Sequence, residues 1–181
     1  LDGDRIRAVD VRTRAVRTAG GGGLFRGLDL SADGRRMIAT VTGHRLIAVD
    51  VGADGVTGSA RAMGTGCSAS LCPDGLLFSD LMPGHRAMEI RRWEDGASIR
   101  TNPAPRGTTM ANEIWSNDPR WLVARTEQPS NANIWVMDPA SDGSVQVTFT
   151  GDCNRPDLFV RPGPPDWRTR LRDWCLRRRW L

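Results

Sequence analysis

Two histidines stand in the same tripeptide, Gly43-His44-Arg45 and Gly84-His85-Arg86, 41 residues apart. An imidazole beside a guanidinium, presented twice from equivalent loops, can hold an anionic ligand, because both groups donate hydrogen bonds and the guanidinium always carries charge. The plainer reading of Gly-His-Arg is a hairpin turn whose polar residues are simply solvated. Asn112 and Glu113 open the most polar stretch of the chain, which continues through Asn117, Asn131 and Asn133. This stretch is predicted to occupy the loops that enter and leave one structural unit and to border a pocket. The candidate ligand-binding residues are therefore His44, Arg45, His85, Arg86, Asn112 and Glu113.

Other chemistry finds no residues to carry it. No serine, histidine and aspartate follow one another in a hydrolase order, and no paired-carboxylate motif stands out. The run Gly20-Gly21-Gly22-Gly23 lacks the Lys and Ser/Thr that let a glycine loop cradle phosphate, so it reads as a join between units. Cys67, Cys72, Cys153 and Cys175 have no CxxC spacing and only two histidines to help them. A zinc site is not expected, nor any other cofactor. No residue is assigned a catalytic role.

The residues that remain are architectural. Asp33, Asp74 and Asp118 each sit in a turn sequence, Ser31-Ala32-Asp33-Gly34, Cys72-Pro73-Asp74-Gly75 and Ser116-Asn117-Asp118-Pro119. Aspartate there accepts hydrogen bonds from the amides of its own turn. The same is expected of Asp10, Asp50 and Asp138. Each of the first three turns is followed by a short apolar strand and then by an alternating strand that ends in an acidic turn, such as Leu46-Ile47-Ala48-Val49-Asp50. His44 and His85 both fall ten residues after the turn glycine, which makes them equivalent positions of a repeat.

A period of about 43 residues with four short strands per period describes the blades of a propeller. The chain is read as half a blade over residues 1–22, full blades over 23–64, 65–107 and 108–151, and a stub over 153–160. The fold class expected is all-β: a β-propeller of four-stranded antiparallel blades, about three full and one partial, with a short C-terminal helix. Trp93, Trp115, Trp121 and Trp135 are expected to fill the wedge between blades. The chain begins inside an apparent strand, so a preceding segment is expected.

The formal charge of +4 is localised. Residues 166–181 hold six Arg and two Asp, which leaves 19 Arg and 19 acids before them. A body so balanced offers no broad nucleic-acid surface. After a Pro-rich break, residues 161–181 form a separate tail, in which Trp167, Leu171, Trp174 and Leu181 share one helical face. Such a basic amphipathic helix suits a membrane surface or a partner.

The order apolar-Ser-x-Asp-Gly-Arg-Arg-apolar at residues 30–37 is followed by Leu46-Ile47-Ala48-Val49-Asp50-Val51. In the last blade the matching segments are Asn133-Ile134-Trp135-Val136-Met137-Asp138 and Val147-Thr148-Phe149-Thr150-Gly151. This pattern resembles the TolB-like, or PD40, WD40-like propeller repeat of bacteria, over residues 1–160. The resemblance implies a non-catalytic binding or interaction module of an exported protein, periplasmic or secreted. Its partner would be a protein or a carbohydrate met at the propeller rim. The alternative is the propeller of a peptidase, or of an oligogalacturonate-lyase-like enzyme. In that lyase branch a metal-binding histidine stands three residues before a tryptophan, where this chain has Asn112 before Trp115.

Overall fold

The computed structural model of the protein describes residues 5–21, 25–53, 55, 58–127 and 132–161. The predicted tail helix with Cys175 lies outside the described residues, as do Asn131, Gly22 and Gly23.

Three four-stranded antiparallel sheets follow one another along the chain, each a simple meander. Blade 1 comprises β3 (Phe25–Leu30), β4 (Arg36–Val41), β5 (Arg45–Asp50) and β6 (Arg61–Thr65). Blade 2 comprises β7 (Cys67–Leu71), β8 (Leu77–Leu81), β9 (Ala87–Arg92) and β10 (Ser98–Pro103). Blade 3 comprises β11 (Met110–Trp115), β12 (Leu122–Thr126), β13 (Ile134–Met137) and β14 (Ser144–Gln146). A two-stranded hairpin, β1 (Arg5–Val9) with β2 (Val16–Gly21), precedes them. The fold is a partial all-β propeller, as the repeat implied. One detail differs: Gly20 and Gly21, read as part of a join, are paired with Ile6 and Arg5 in β2.

Burial explains the sequence pattern of the strands. The second strand of each blade is covered on both faces by its neighbours, so it reads as a continuous apolar run; in β4 every residue from Met37 to Val41 is buried. The inner strand β3 instead alternates between half-buried and exposed residues. Ile38, Leu46, Ala48 and Met63 of blade 1 pack on Ala69, Leu71, Phe78 and Trp93 of blade 2. Across the next joint, Cys72, Leu81, Met88 and Ile90 pack on Met110, Trp115, Leu122 and Met137. Burying a side chain the size of Phe78, which is fully enclosed, stabilises a fold by roughly 1.5–3 kcal/mol. The core is therefore a set of joints between blades. Trp93, Trp115 and Trp135 are buried and Trp121 is half-buried.

The expected turn aspartates do what their sequence requires. Asp33 accepts the amide of Arg35 at 3.0 Å, Asp74 that of Leu76 at 2.9 Å, and Asp118 that of Arg120 at 3.1 Å. Asp10 and Asp138 close their own turns in the same way. Asp50 differs, because its carboxylate lies 3.8 Å from Arg61 across the blade.

Candidate functional site

In a meander of four antiparallel strands, the start of the first strand, the hairpin between the second and third, and the end of the fourth all lie at one end of the sheet. Here that end carries the two Gly-His turns. Gly43 and His44 both have positive φ, at 81° and 58°, and Gly84 and His85 repeat this at 81° and 57°. The second turn is closed by the His85 amide, which donates to the carbonyl of Met82 at 2.9 Å. The reversed backbone aims the histidine carbonyl sideways at the next blade. His44 accepts the amide of Gly66 at 2.8 Å, and His85 accepts that of Met110 at 2.8 Å. Gly66 and Met110 are the residues that lead into the inner strands of the following blades.

The inner strands themselves are stitched together. Ser70 donates its hydroxyl to the Asp29 carboxylate at 2.8 Å, and the Leu71 amide donates to the same oxygen at 2.9 Å. Ser70 Oγ in turn accepts the Trp115 amide at 3.0 Å. Three blades are thus linked through one hydroxyl. A bulge interrupts each inner strand near its start, between Phe25 and Gly27, Cys67 and Ser70, and Ala111 and Ile114. Ser68 and Asn112 take positive φ there, at 53° and 51°, and Arg155, one repeat further on, does so at 46°.

These irregular segments enclose a pocket of about 460 Å³. Its wall is formed by residues 26–29 of β3, 67–70 of β7, 112–114 of β11, the side of the first Gly-His turn and the segment at Arg155 and Pro156. The pocket is on the inner face of three consecutive blades. A volume of this size suits a small molecule or one or two side chains of a larger ligand.

The structure brings together three of the six candidate residues. His44, Asn112 and Glu113 line the pocket, whereas Arg45 is exposed outside its lining, and His85 and the exposed Arg86 lie one blade further along the same end. His85 Nδ1 is 3.4 Å from Glu127 Oε2, an ion pair only when the ring is protonated. Asn112 and Glu113 are not in a loop, as their polarity suggested, but inside β11, where Glu113 belongs to the buried face of the alternation. The neighbouring asparagines are structural: Asn117 clamps the backbone of Val160 through both its amide atoms, and Asn133 accepts from Gly151 and Thr148.

Sequence reasoning passed over Cys67, Asp80, Arg26 and Arg155. Cys67 Sγ lies 2.7 Å from His44 Nδ1. Burial and the nearby Glu113 carboxyl hold the thiol above its usual range. Which of the two groups donates is set by the tautomer of the ring. Asp80 of β8 is 1% exposed; its Oδ2 accepts from Arg91 Nε at 2.7 Å, and Arg91 also pairs with Glu89. Burial lifts the Asp80 pKa to about 6 against the pull of Arg91. An acid inside the apolar run Leu76-Leu77-Phe78-Ser79-Asp80-Leu81 was the visible signal.

Glu113 is the most unusual group. It is 4% exposed, and neither carboxylate oxygen has a hydrogen-bond partner among the described residues. Burial, then the Asp80 charge, push its pKa well above the ordinary carboxylate range. Among the described residues no three His, Cys, Asp or Glu side chains are grouped closely enough to hold a metal ion, and no helix is long and apolar enough to cross a membrane.

No protein-family model matches the chain, and no curated protein does. Solved structures do. TolB from Acinetobacter baumannii superimposes with a TM-score of 0.58 at 12% identity, over 80% of this chain and 37% of its own. The Swd1 (Cps50) β-propeller domain of Myceliophteria thermophila gives 0.55 at 16% identity, over 73% of this chain and 47% of its own. Hydrazine synthase from Kuenenia stuttgartiensis gives 0.58 at 11%, over 80% and 48% respectively. The chain spans less than half the length of each. The blades share the β-propeller fold of TolB and of the Swd1 domain, and at such identities the likeness establishes the fold alone.

Proposed function

We propose that this partial TolB-like propeller is a non-catalytic protein-interaction module that takes its partner on the end bearing the Gly-His turns. The observation that carries this reading is the distribution of charge around the pocket. Arg26, His44, Arg45, Arg86, Arg106 and Arg155 are all exposed at this end, outnumbering the exposed acids beside them, Glu127, Asp152 and Asp157. Residues 1–165 hold as many acids as arginines, so the imbalance is local. A partner that presents acidic side chains complements it and gains both approach rate and register from the match. Arg106 is also held in place, its guanidinium 5.3 Å from the centre of the Trp135 ring. The exported setting, periplasmic or secreted, goes with this reading through the TolB likeness.

Anisotropy of a fluorescent dodecapeptide of Asp, Glu and Gly tests it. The double substitution Arg45→Glu/Arg86→Glu is expected to weaken binding by roughly tenfold or more, a loss of about 1.4 kcal/mol. Arg35→Glu, in the turn between β3 and β4 at the opposite end, is expected to change it less than about twofold, since exposed charges beyond a Debye length are screened. Equal losses from both substitutions mean that only overall charge matters, and the docking reading fails. Displacement of the peptide by oligogalacturonate, without binding to any acidic protein segment, transfers the site to a carbohydrate.

A further inference from the structure

The pocket is dipolar. Its lining includes the exposed Arg26, His44 and Arg155 together with Glu113, which is buried in the wall. Behind Glu113 stands Asp80, whose guanidinium partner, Arg91, is shared with Glu89. Among the described residues the three acids Asp80, Glu89 and Glu113 thus have one arginine between them, and both oxygens of Glu113 are left without a donor, a costly arrangement for a polar group so completely removed from water.

We infer that Glu113 is the anchor for a cationic side chain of the partner, an arginine flanked by acidic residues. Arginine offers two parallel N–H groups, which match the two vacant oxygens of one carboxylate. The acidic flanks then reach the exposed Arg26 and Arg155, so that one short segment satisfies both ends of the dipole. The inference rests on the docking reading above and adds the chemistry of the residue that enters the pocket. Burial favours the protonated form of Glu113 in the free protein. Binding of the guanidinium releases that proton to solvent, leaving a charge-assisted pair.

The other groups around Glu113 set what pH does. Asp80 from β8 opposes its ionisation and Cys67 from β7 stays a neutral thiol. Arg26 and Asp29 from β3, His44 from the first Gly-His turn and Arg155 are the other charged or titratable groups around the pocket. Ionisation of Glu113 favours the arginine at higher pH.

Isothermal titration of the full chain with Ac-Gly-Asp-Arg-Asp-Gly-NH2 and with the same peptide bearing citrulline, the neutral isostere of arginine, decides the matter. The arginine peptide is expected to bind roughly tenfold tighter or more. Its advantage should grow from pH 6 to pH 8 and should come with proton release, visible as buffer-dependent heat. In Glu113→Gln the advantage is expected to disappear. Equal affinity of the two peptides for the wild-type chain overturns the anchor while leaving the docking face intact. Failure of both to bind removes the docking face and the anchor with it. The wild-type comparison and the proton count hold whether or not the substituted chain folds.

Discussion

The carbonyl of His44 and the amide of Gly66 are 2.8 Å apart, and this bond joins the end of one blade's middle hairpin to the start of the next blade's inner strand. His85 and Met110 repeat it 41 and 44 residues later. The histidines of the Gly-His-Arg repeat therefore act first through their backbone.

A left-handed residue is the condition for that bond. β-branched side chains are strained at positive φ, whereas asparagine tolerates it. His44→Val is expected to lower stability by about 1–2 kcal/mol, and His44→Asn to stay within about 0.5 kcal/mol of wild type. Thermal unfolding measures both, with roughly 2–4 °C per kcal/mol for a chain of this size. A valine variant as stable as the wild type shows that the turn does not fix the joint.

Gly66 has a second constraint. A Cβ placed on it would stand 2.1 Å from Asp80 Oδ1 and 2.6 Å from its carboxyl carbon. The Asp80 side chain cannot swing away freely, because Arg91 holds its other oxygen. Gly66→Ala is expected to cost about 1–3 kcal/mol by overpacking. In a double-mutant cycle with Asp80→Ala, the measured coupling should relieve at least about 0.5 kcal/mol of that cost. Simple additivity in denaturant unfolding contradicts the contact.

The buried acids make stability fall with rising pH. Asp80 has a folded pKa of about 6, above the unfolded value of 3.8. The folded state holds that proton more tightly, so the stabilisation is complete below about pH 4 and is lost as pH rises through 6. Glu113, also raised by burial, adds to the loss as pH rises above its unfolded value of 4.5. Glu113→Gln removes its share. Melting temperatures of the two proteins should coincide below about pH 4 and diverge towards pH 8 in favour of glutamine. Parallel curves rule out Glu113 as a source of the slope.

The architecture was legible because it repeats. The turn aspartates at Asp33, Asp74 and Asp118 and the apolar strands after them recur, and local chemistry suffices to place them. The site was legible only in part, for a reason visible at Glu113 and Cys67. A propeller builds its pocket from inner strands separated by a whole blade in sequence, so the neighbours of a residue there are some 40 positions away, as Ser70 is from Asp29. Polarity alone placed Glu113 in a loop, because nothing local announces that a charged residue in β11 faces a second buried acid from β8. Arg155 gave no sign at all, since it lies beyond the last regular strand.

The most direct test of the docking face is a map of backbone amide chemical shifts during titration with the acidic dodecapeptide. Perturbations are predicted at residues 42–45, 65–68, 83–86, 104–112 and 153–156, all at the end that carries the Gly-His turns. Residues 32–35, 73–75 and 117–120, in the turns at the opposite end, should remain still. Shifts concentrated in those opposite turns, or spread evenly over every exposed arginine, contradict the account.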